Sequence, residues 1–320
     1  MLAMEYKIKI GKYTLGYVDS VRIRKSVESL SDTAEIILPA TYINKSIDIE
    51  SKLKEGDTVA IELGYDNSLQ MEFKGYLNTI TTDDSSVKLE CEDDIYLFRK
   101  EIKNKELKKV SLFTILKYLI EQVDKSYGLS CDYDFKYDKF VIKDVNAWDV
   151  LKKVQDETKA NIYFKDKTLH VHPQYKEIEN SKAITFDFAR NIEKSSLKYK
   201  KADQRKYFVE VEGVGKDGKR IVVTVGKQGG EKRNIKIYGV TDKTSLQKRG
   251  EQELQQIVYT GFEGNFTGWL VPYCEPTYKI ELRDSEYPEK NGVYYVISTE
   301  VNFSSQGGER VISIGKKINE

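Results

Sequence analysis

The sequence predicts a β-rich α+β fold: two similar barrel-like β domains with a smaller α/β domain between them. Three observations carry this. Short alternating apolar and polar runs, separated by turn residues, fill the first hundred residues and the last third. The middle carries runs of helical period instead. A segment near the C-terminus also repeats the pattern of a segment in the first domain. The expected domains are residues 1–100, 101–204 and 205–320, the last with one inserted helix.

In the first domain, Val18–Arg24 and Ala34–Leu38 are strand-like, and Pro39 closes the second. Val59–Leu63 alternates after the turn Glu55-Gly56-Asp57 and stops at Gly64. Met71–Thr79 and Val87–Cys91 follow, joined by the polar loop Thr82–Ser86. Regularly spaced short strands suit a sandwich or barrel.

In the middle domain, Ser111 caps a helix whose apolar stripe is Leu112, Ile115, Leu116, Leu119, Ile120 and Val123. Gly128 is expected to end it. Asn146 caps a second helix, with Asp149 placed for the helix dipole and Trp148, Leu151 and Val154 along one stripe. Asn161–Phe164 and Thr168–His172 form a hairpin around Lys165-Asp166-Lys167.

In the last domain, Tyr207–Val211 and Arg220–Val225 flank the hairpin turn Gly215-Lys216-Asp217-Gly218. Thr244 with Gln247 reads as a capping box, and Gly250 inside that helix implies close backbone packing. Thr277–Leu282, Gly292–Phe303 and Arg310–Ile314 are the last strands. The repeat sets residues 55–91 against 275–315. Each has a strand ending Ile-Glu-Leu, then Lys and Gly entering a Gly-aromatic strand, a polar turn and a closing strand.

Charge and composition narrow the function. Lys plus Arg is 52 and Asp plus Glu is 51, so the chain lacks the basic excess of a broad nucleic-acid surface. Its two histidines offer little for acid–base catalysis near neutral pH. The three cysteines are far apart, with no CxxC pair, as in a reducing compartment. Neither a signal peptide nor an apolar run long enough to span a membrane is recognisable, so synthesis in a bacterial cytoplasm is expected. The 22 tyrosines suit sheets with one wet face, or interfaces.

One ordered series of motifs resembles a known family. Gly56-Asp57-Thr58-Val59 is followed by Phe73-Lys74-Gly75-Tyr76. Ala147-Trp148-Asp149-Val150-Leu151 leads through Ala160-Asn161-Ile162-Tyr163-Phe164 to Leu169-His170-Val171. Asn291-Gly292-Val293-Tyr294-Tyr295-Val296 with Gly307-Gly308-Glu309-Arg310 completes it. Together they resemble the hub proteins of contractile tails: phage late-control tail proteins, the baseplate hub of large contractile phages, and the N-terminal part of type VI secretion spike proteins. The resemblance implies two tail-tube-type β domains per subunit and a homotrimeric ring with pseudo-sixfold symmetry. That ring would be a symmetry adaptor between the tail tube protein and the central spike protein, in the baseplate of a phage, prophage or other contractile injection system. It implies no enzyme activity, no catalytic, cofactor or metal residues and no small-molecule substrate, with nucleic acid at most passing through a tube lumen. The chain ends at Glu320, so the spike is expected to be a separate polypeptide. The rival readings are a cell-wall hydrolase and a carbohydrate-binding receptor module.

His170 and His172 share one strand face at a metal-binding spacing, but no adjacent ligand completes a site, so they read as half-exposed strand residues. Asp83-Asp84 and Asp93-Asp94 read as solvated turns rather than a glycosidase pair. Glu210 and Glu212 read as a polar outer face. Gly226-Lys227-Gln228-Gly229-Gly230 lacks phosphate-loop spacing and reads as a turn. Lys194–Lys206 reads as a solvated linker or a charged rim that docks an acidic partner. Trp148 and Trp269 read as packing anchors, and Gly261–Pro272 as an irregular connection at a subunit contact.

Overall fold

The structure, a computed structural model, describes every residue except 1–2, 40, 43–44, 47–51, 84, 177, 181, 203–205, 228 and 319–320. Contacts gather the chain into two units. Unit 1 is Met1–Tyr96, Ile178–Lys198 and Glu263–Glu320; unit 2 is Leu97–Glu177 and Tyr199–Phe262. Residues 205–262, read from the sequence into the last domain, therefore group with the middle of the chain.

In chain order, unit 1 begins with β1 (Met4–Ile10), β2 (Tyr13–Thr14), β3 (Ser20–Ser26), β4 (Thr33–Pro39), β5 (Thr41–Tyr42), β6 (Lys45–Ser46), β7 (Thr58–Tyr65), β8 (Ser68–Thr82) and β9 (Ser86–Glu92). The short helix α1 (Ile95–Phe98) follows. Unit 2 supplies β10 (Lys105–Ser111), α2 (Leu112–Val123), β11 (Gly128–Cys131), β12 (Lys136–Ile142), α3 (Ala147–Thr158), β13 (Asn161–Lys165) and β14 (Thr168–His172). Then come β15 (Ile184–Asp187) and β16 (Ile192–Lys200). The second run of unit 2 is β17 (Tyr207–Val214), β18 (Arg220–Gly226), β19 (Glu231–Tyr238) and α4 (Lys243–Ile257). Last are β20 (Gly261–Trp269), β21 (Lys279–Arg283), β22 (Gly292–Ser304) and β23 (Gly307–Lys317). The fold is α+β and dominated by strands.

Among the described residues, thirteen strands of unit 1 join in one sheet. Its path runs β16-β20-β23-β22-β3-β4-β9-β8-β7-β1-β2, with β21 beside β22 and β15 beside β21. The path is open at both ends, so the barrel-like expectation is met as a long twisted sheet and not as a closed barrel within one chain. Alternation builds the core: Ala34, Ile36 and Leu38 of β4 are buried while their neighbours are half-exposed. Ile8, Ile10, Ile23, Ile61, Leu77 and Leu89 join them.

The sheet is a duplication. In the first half β1, β3, β4, β7, β8 and β9 are laid out as β1-β7-β8-β9-β4-β3. In the second, β15, β16, β20, β21, β22 and β23 are laid out as β15-β21-β22-β23-β20-β16. Chain order and spatial order match strand for strand. The one difference is that β1 runs antiparallel to β7, whereas β15 runs parallel to β21. Both long strands carry the same bulge: β8 skips Asn78 between Leu77 and Thr79, and β22 skips Ile297 between Val296 and Ser298. Just before the bulge the hydrogen bonds also coincide. Leu77 donates to Asp57 and accepts from Gly56, both at 2.8 Å. Val296 donates to Tyr278 at 2.9 Å and accepts from Thr277 at 3.0 Å. Gly56 and Thr277 both adopt positive φ, +88° and +74°.

These bonds correct the sequence match by two residues. They set Val59-Ala60-Ile61, not Ile61-Glu62-Leu63, against Ile280-Glu281-Leu282. A strand pattern of period two looks the same after a two-residue slip, so pattern alone could not choose.

One ion pair ties β23 of the second half to β8 of the first. Arg310 and Glu72 are each 1% exposed. Arg310 Nη2 donates to Glu72 Oε1 at 2.6 Å and Nη1 to Oε2 at 3.2 Å. The same nitrogens donate to the carbonyls of Leu270 at 3.2 Å and Cys274 at 3.0 Å. The Tyr273 ring stands 5.1 Å from the guanidinium carbon.

Unit 2 holds three small sheets: β10-β12, β11-β14-β13 and β18-β17-β19. Ser111 caps α2 by accepting from the Thr114 amide, and Asn146 forms a full capping box with Asp149 on α3. α2 stops at Asp124, and Gly128 instead opens β11. Asp242, not Thr244, caps α4, its carboxylate accepting from the Ser245 amide at 2.8 Å. An anion held two residues earlier serves the dipole better than a Thr hydroxyl. Gly250 does mark close packing, since a Cβ there would stand 2.8 Å from Val225 Cγ2.

Arg310→Ala leaves Glu72 charged and buried without its partner, so unfolding in urea should show a loss of about 3–5 kcal/mol. Replacing both partners with apolar residues of similar volume should cost much less.

Candidate functional site

Three features of the described residues bear on function: an aromatic groove, a histidine cluster and a buried carboxyl pair.

The groove lies in unit 1 and has a volume of about 790 Å³. Tyr6, Tyr17, Tyr65, Trp269 and Phe303 line it, with the β22–β23 turn as its floor. Tyr6 meets Phe303 edge-on at 5.7 Å and donates to the Gly16 carbonyl at 3.1 Å. The Tyr65 hydroxyl donates to the Gly308 carbonyl at 3.1 Å, and burial pushes its pKa above the ordinary tyrosine value. Two sequence expectations change here. Gly261–Trp269 is strand β20, not an irregular connection; Gly264 and Gly268 sit against neighbouring backbone where a Cβ has no room. Trp269 is 45% exposed and is no packing anchor; its indole N–H donates to the Glu193 carboxylate. Trp148 is half-buried, with the Arg99 guanidinium 5.4 Å from its ring.

The histidines are not both half-exposed strand residues: His172 is buried, while His170 is half-exposed. β11 runs parallel to β14 and sets Ser130 opposite His170. His172 Nδ1 lies 2.6 Å from Asp132 Oδ1, and its Nε2 lies 3.4 Å from both Ser130 Oγ and His170 Nδ1. Burial opposes the charge of Asp132, but Lys176 and His172 outweigh it and hold the carboxyl below its usual range. Tyr163 stacks on His170 at 4.7 Å. The order Ser130, His172, Asp132 is that of a hydrolytic relay. However, both Nε2 contacts are at the outer limit of hydrogen bonding, and the imidazole is enclosed. The cluster works as a clamp between β11 and β14. Among the described residues no group of three or more His, Cys, Asp or Glu side chains could hold a metal ion.

The carboxyl pair is Asp32 and Asp93. Asp93 is buried rather than a solvated turn residue; its carboxylate accepts from the Ile95 amide at 3.1 Å, at the start of α1. Its own amide donates to the Asp32 carbonyl at 3.0 Å. Burial raises the pKa of Asp32 to about 6, opposed by Lys25 and by the Ser26 amide. Burial and the Asp32 charge raise that of Asp93 well above the usual value.

Asp83 is exposed, as expected of a turn, and Asp84 lies outside the described residues. Glu210 and Glu212 share one face of β17 and pair with Lys232 and Arg220. Gly226 ends β18; Gln228 lies outside the described residues. The basic stretch from Lys194 is mostly strand β16 and not a linker, with 203–205 outside the described residues.

No family model and no curated protein matches the chain. Solved structures do match. A tail protein from Neisseria meningitidis MC58 aligns with a TM-score of 0.70 at 14% identity, over 98% of this chain and 96% of that one. The 43 kDa tail protein of prophage MuSo2 from Shewanella oneidensis gives 0.70 at 15%, over 98% of both chains. The fold is that of phage tail proteins. It is shared by an E. coli protein described as a component of the type VI secretion system, with a TM-score of 0.64 at 10% identity over 98% of this chain and 77% of that one. Among the described residues no helix is long and apolar enough to cross a membrane.

The raised carboxyl pKa values set a pH dependence. A carboxyl with a folded pKa above its unfolded value of about 3.9 stabilises the protein while it stays protonated. That contribution is complete below about pH 4 and is lost as pH rises through about 6. The melting temperature should therefore be higher at pH 5 than at pH 7.5. Asp32→Asn, which keeps an acceptor for the Ser26 amide, should flatten the difference.

Proposed function

We propose that this chain is a non-enzymatic hub subunit of a contractile-tail baseplate. Three copies form a ring of six similar β modules that seats the tail tube protein on one side and the central spike protein on the other. The single observation that carries this is the duplicated sheet: two modules of the same strand order, bulge and bulge-flanking hydrogen bonds in one chain that has a tail-protein fold. A chain of two like modules, repeated three times, presents near-sixfold symmetry to a sixfold tube and true threefold symmetry to a spike. The three consecutive domains read from the sequence enter this proposal with one change: residues 199–262 are an insertion into the second module. The particle is a virion tail or a related injection machine, assembled from subunits made in the host cytoplasm.

Light scattering across a concentration series should give three times the 36.9 kDa chain mass. Electron microscopy should show a six-lobed ring. A monomer that does not trimerise with tube and spike proteins present would overturn the reading.

The aromatic groove favours a second role, as a carbohydrate-binding surface. Sugar rings stack on exposed aromatic faces such as Trp269 and Tyr17. A glycan array should then give a hit that Trp269→Ala weakens at least tenfold, about 1.4 kcal/mol. An array without hits leaves the groove to protein contacts.

A further inference from the structure

We propose that the two histidines of the chain, His170 and His172, form with Ser130 a zinc site that locks β11 to β14 inside unit 2. All three residues belong to one unit of one chain, so the site needs no second copy.

Alternation brings the ligands together. Leu169 and Val171 of β14 are fully buried, which turns His170 and His172 to the other face of the three-stranded sheet. β11 runs beside β14 in parallel, with Ser130 directly opposite His170 and Asp132 just past the strand end. On the other side of β14, β13 sets Tyr163 opposite His170.

The spacing is that of ligands around one ion. His172 Nε2 stands 3.4 Å from His170 Nδ1 and 3.4 Å from Ser130 Oγ. Hydrogen bonding draws such pairs to about 2.9 Å. Two donors held tetrahedrally by one zinc ion, each at about 2.0–2.1 Å, stand about 3.3–3.4 Å apart. An octahedral ion such as magnesium sets adjacent donors about 3 Å apart and takes oxygen ligands. Distance and imidazole nitrogen therefore both select zinc. The Ser130 hydroxyl takes the third corner and water the fourth. The set is lighter than a closed structural zinc centre: among the described residues no third His, Cys, Asp or Glu side chain joins it as a ligand.

The surroundings hold the ligands ready. His172 Nδ1 meets Asp132 Oδ1 at 2.6 Å. In a neutral imidazole the carboxylate keeps the one N–H on Nδ1, which makes Nε2 the electron-pair donor. A carboxylate behind a metal-binding histidine fixes its tautomer and raises its basicity. Lys176 pairs with the other oxygen of Asp132 and offsets part of its charge, which keeps the affinity moderate. Tyr163 stacks on the His170 ring, with centroids 4.7 Å apart and planes within 9°. His172 is 2% exposed, whereas His170 and Ser130 are half-exposed, so the ion enters from the His170 side.

The test uses the full chain without a histidine tag, stripped with EDTA, dialysed and titrated with zinc chloride in a calorimeter. It should bind one zinc per chain, with a rise in melting temperature that EDTA reverses. Cobalt(II) should give the intense visible absorption of a tetrahedral ion. The sequence holds no other histidine, so His170→Ala should abolish binding. Asp132→Asn should weaken it about 10–100-fold. Cys91 and Cys274 are buried, with thiols pushed up to about 12, and will not compete; Cys131→Ser removes the third thiol. In that background Ser130→Cys puts a thiolate at the third corner and should tighten zinc binding at least tenfold. A gain of affinity cannot come from misfolding, and circular dichroism checks the other variants. Absence of zinc heat and of any thermal shift would overturn the site. So would binding that survives His170→Ala, which would mark adventitious capture by surface carboxylates, or a Ser130→Cys variant that binds no tighter.

Discussion

A charged pair with almost no contact with water sits at the centre of unit 1. Arg310 reaches from the second module into the first, and Glu72 waits on β8, the strand paired between β7 and β9. Burying either charge alone is costly, so the two modules must meet in one arrangement or expose both groups. The carbonyls of Leu270 and Cys274 accept from the same two terminal nitrogens, which fixes the irregular chain before β21 as well. Sheet register, groove floor and module spacing all lie within a few residues of this contact.

The sheet around it obeys one accounting rule. A strand has two edges, and each edge must find partners along its whole length or meet water. β22 solves this by changing partners at a bulge, and β8 shows the same bulge. The exposed Trp269 of β20 and the basic β16 lie at one end of the sheet path.

Much of this was legible in the sequence, in proportion to how local the cause is. The caps of α2 and α3 were readable because Ser111 and Asn146 act on amides three residues away. The duplication was visible as a pattern, yet two residues out, because alternation repeats every two residues. β20 was missed because five of its nine positions hold glycine or charge-neutral small polar residues, which mimic a loop. The clamp of His172 on Asp132 and the pair of Arg310 with Glu72 join residues 40 and 238 positions apart, and no periodicity reports such partners. A parallel strand beside the His-Val-His run was the one signal that could have drawn attention to Asp132.

The strand pair β16–β20 also says something about ancestry. In the first module the matching pair, β3 and β4, is bridged by residues 27–32 alone; in the second the bridge is residues 201–260, a folded layer of three strands and a helix. Lengthening a loop tenfold between fixed ends costs only about 2 kcal/mol of closure entropy, and less when the insert folds. After duplication, one copy could acquire new surface here while the order of its own strands stayed untouched. The hairpin bend is where such a lineage can exchange parts without renegotiating its symmetry.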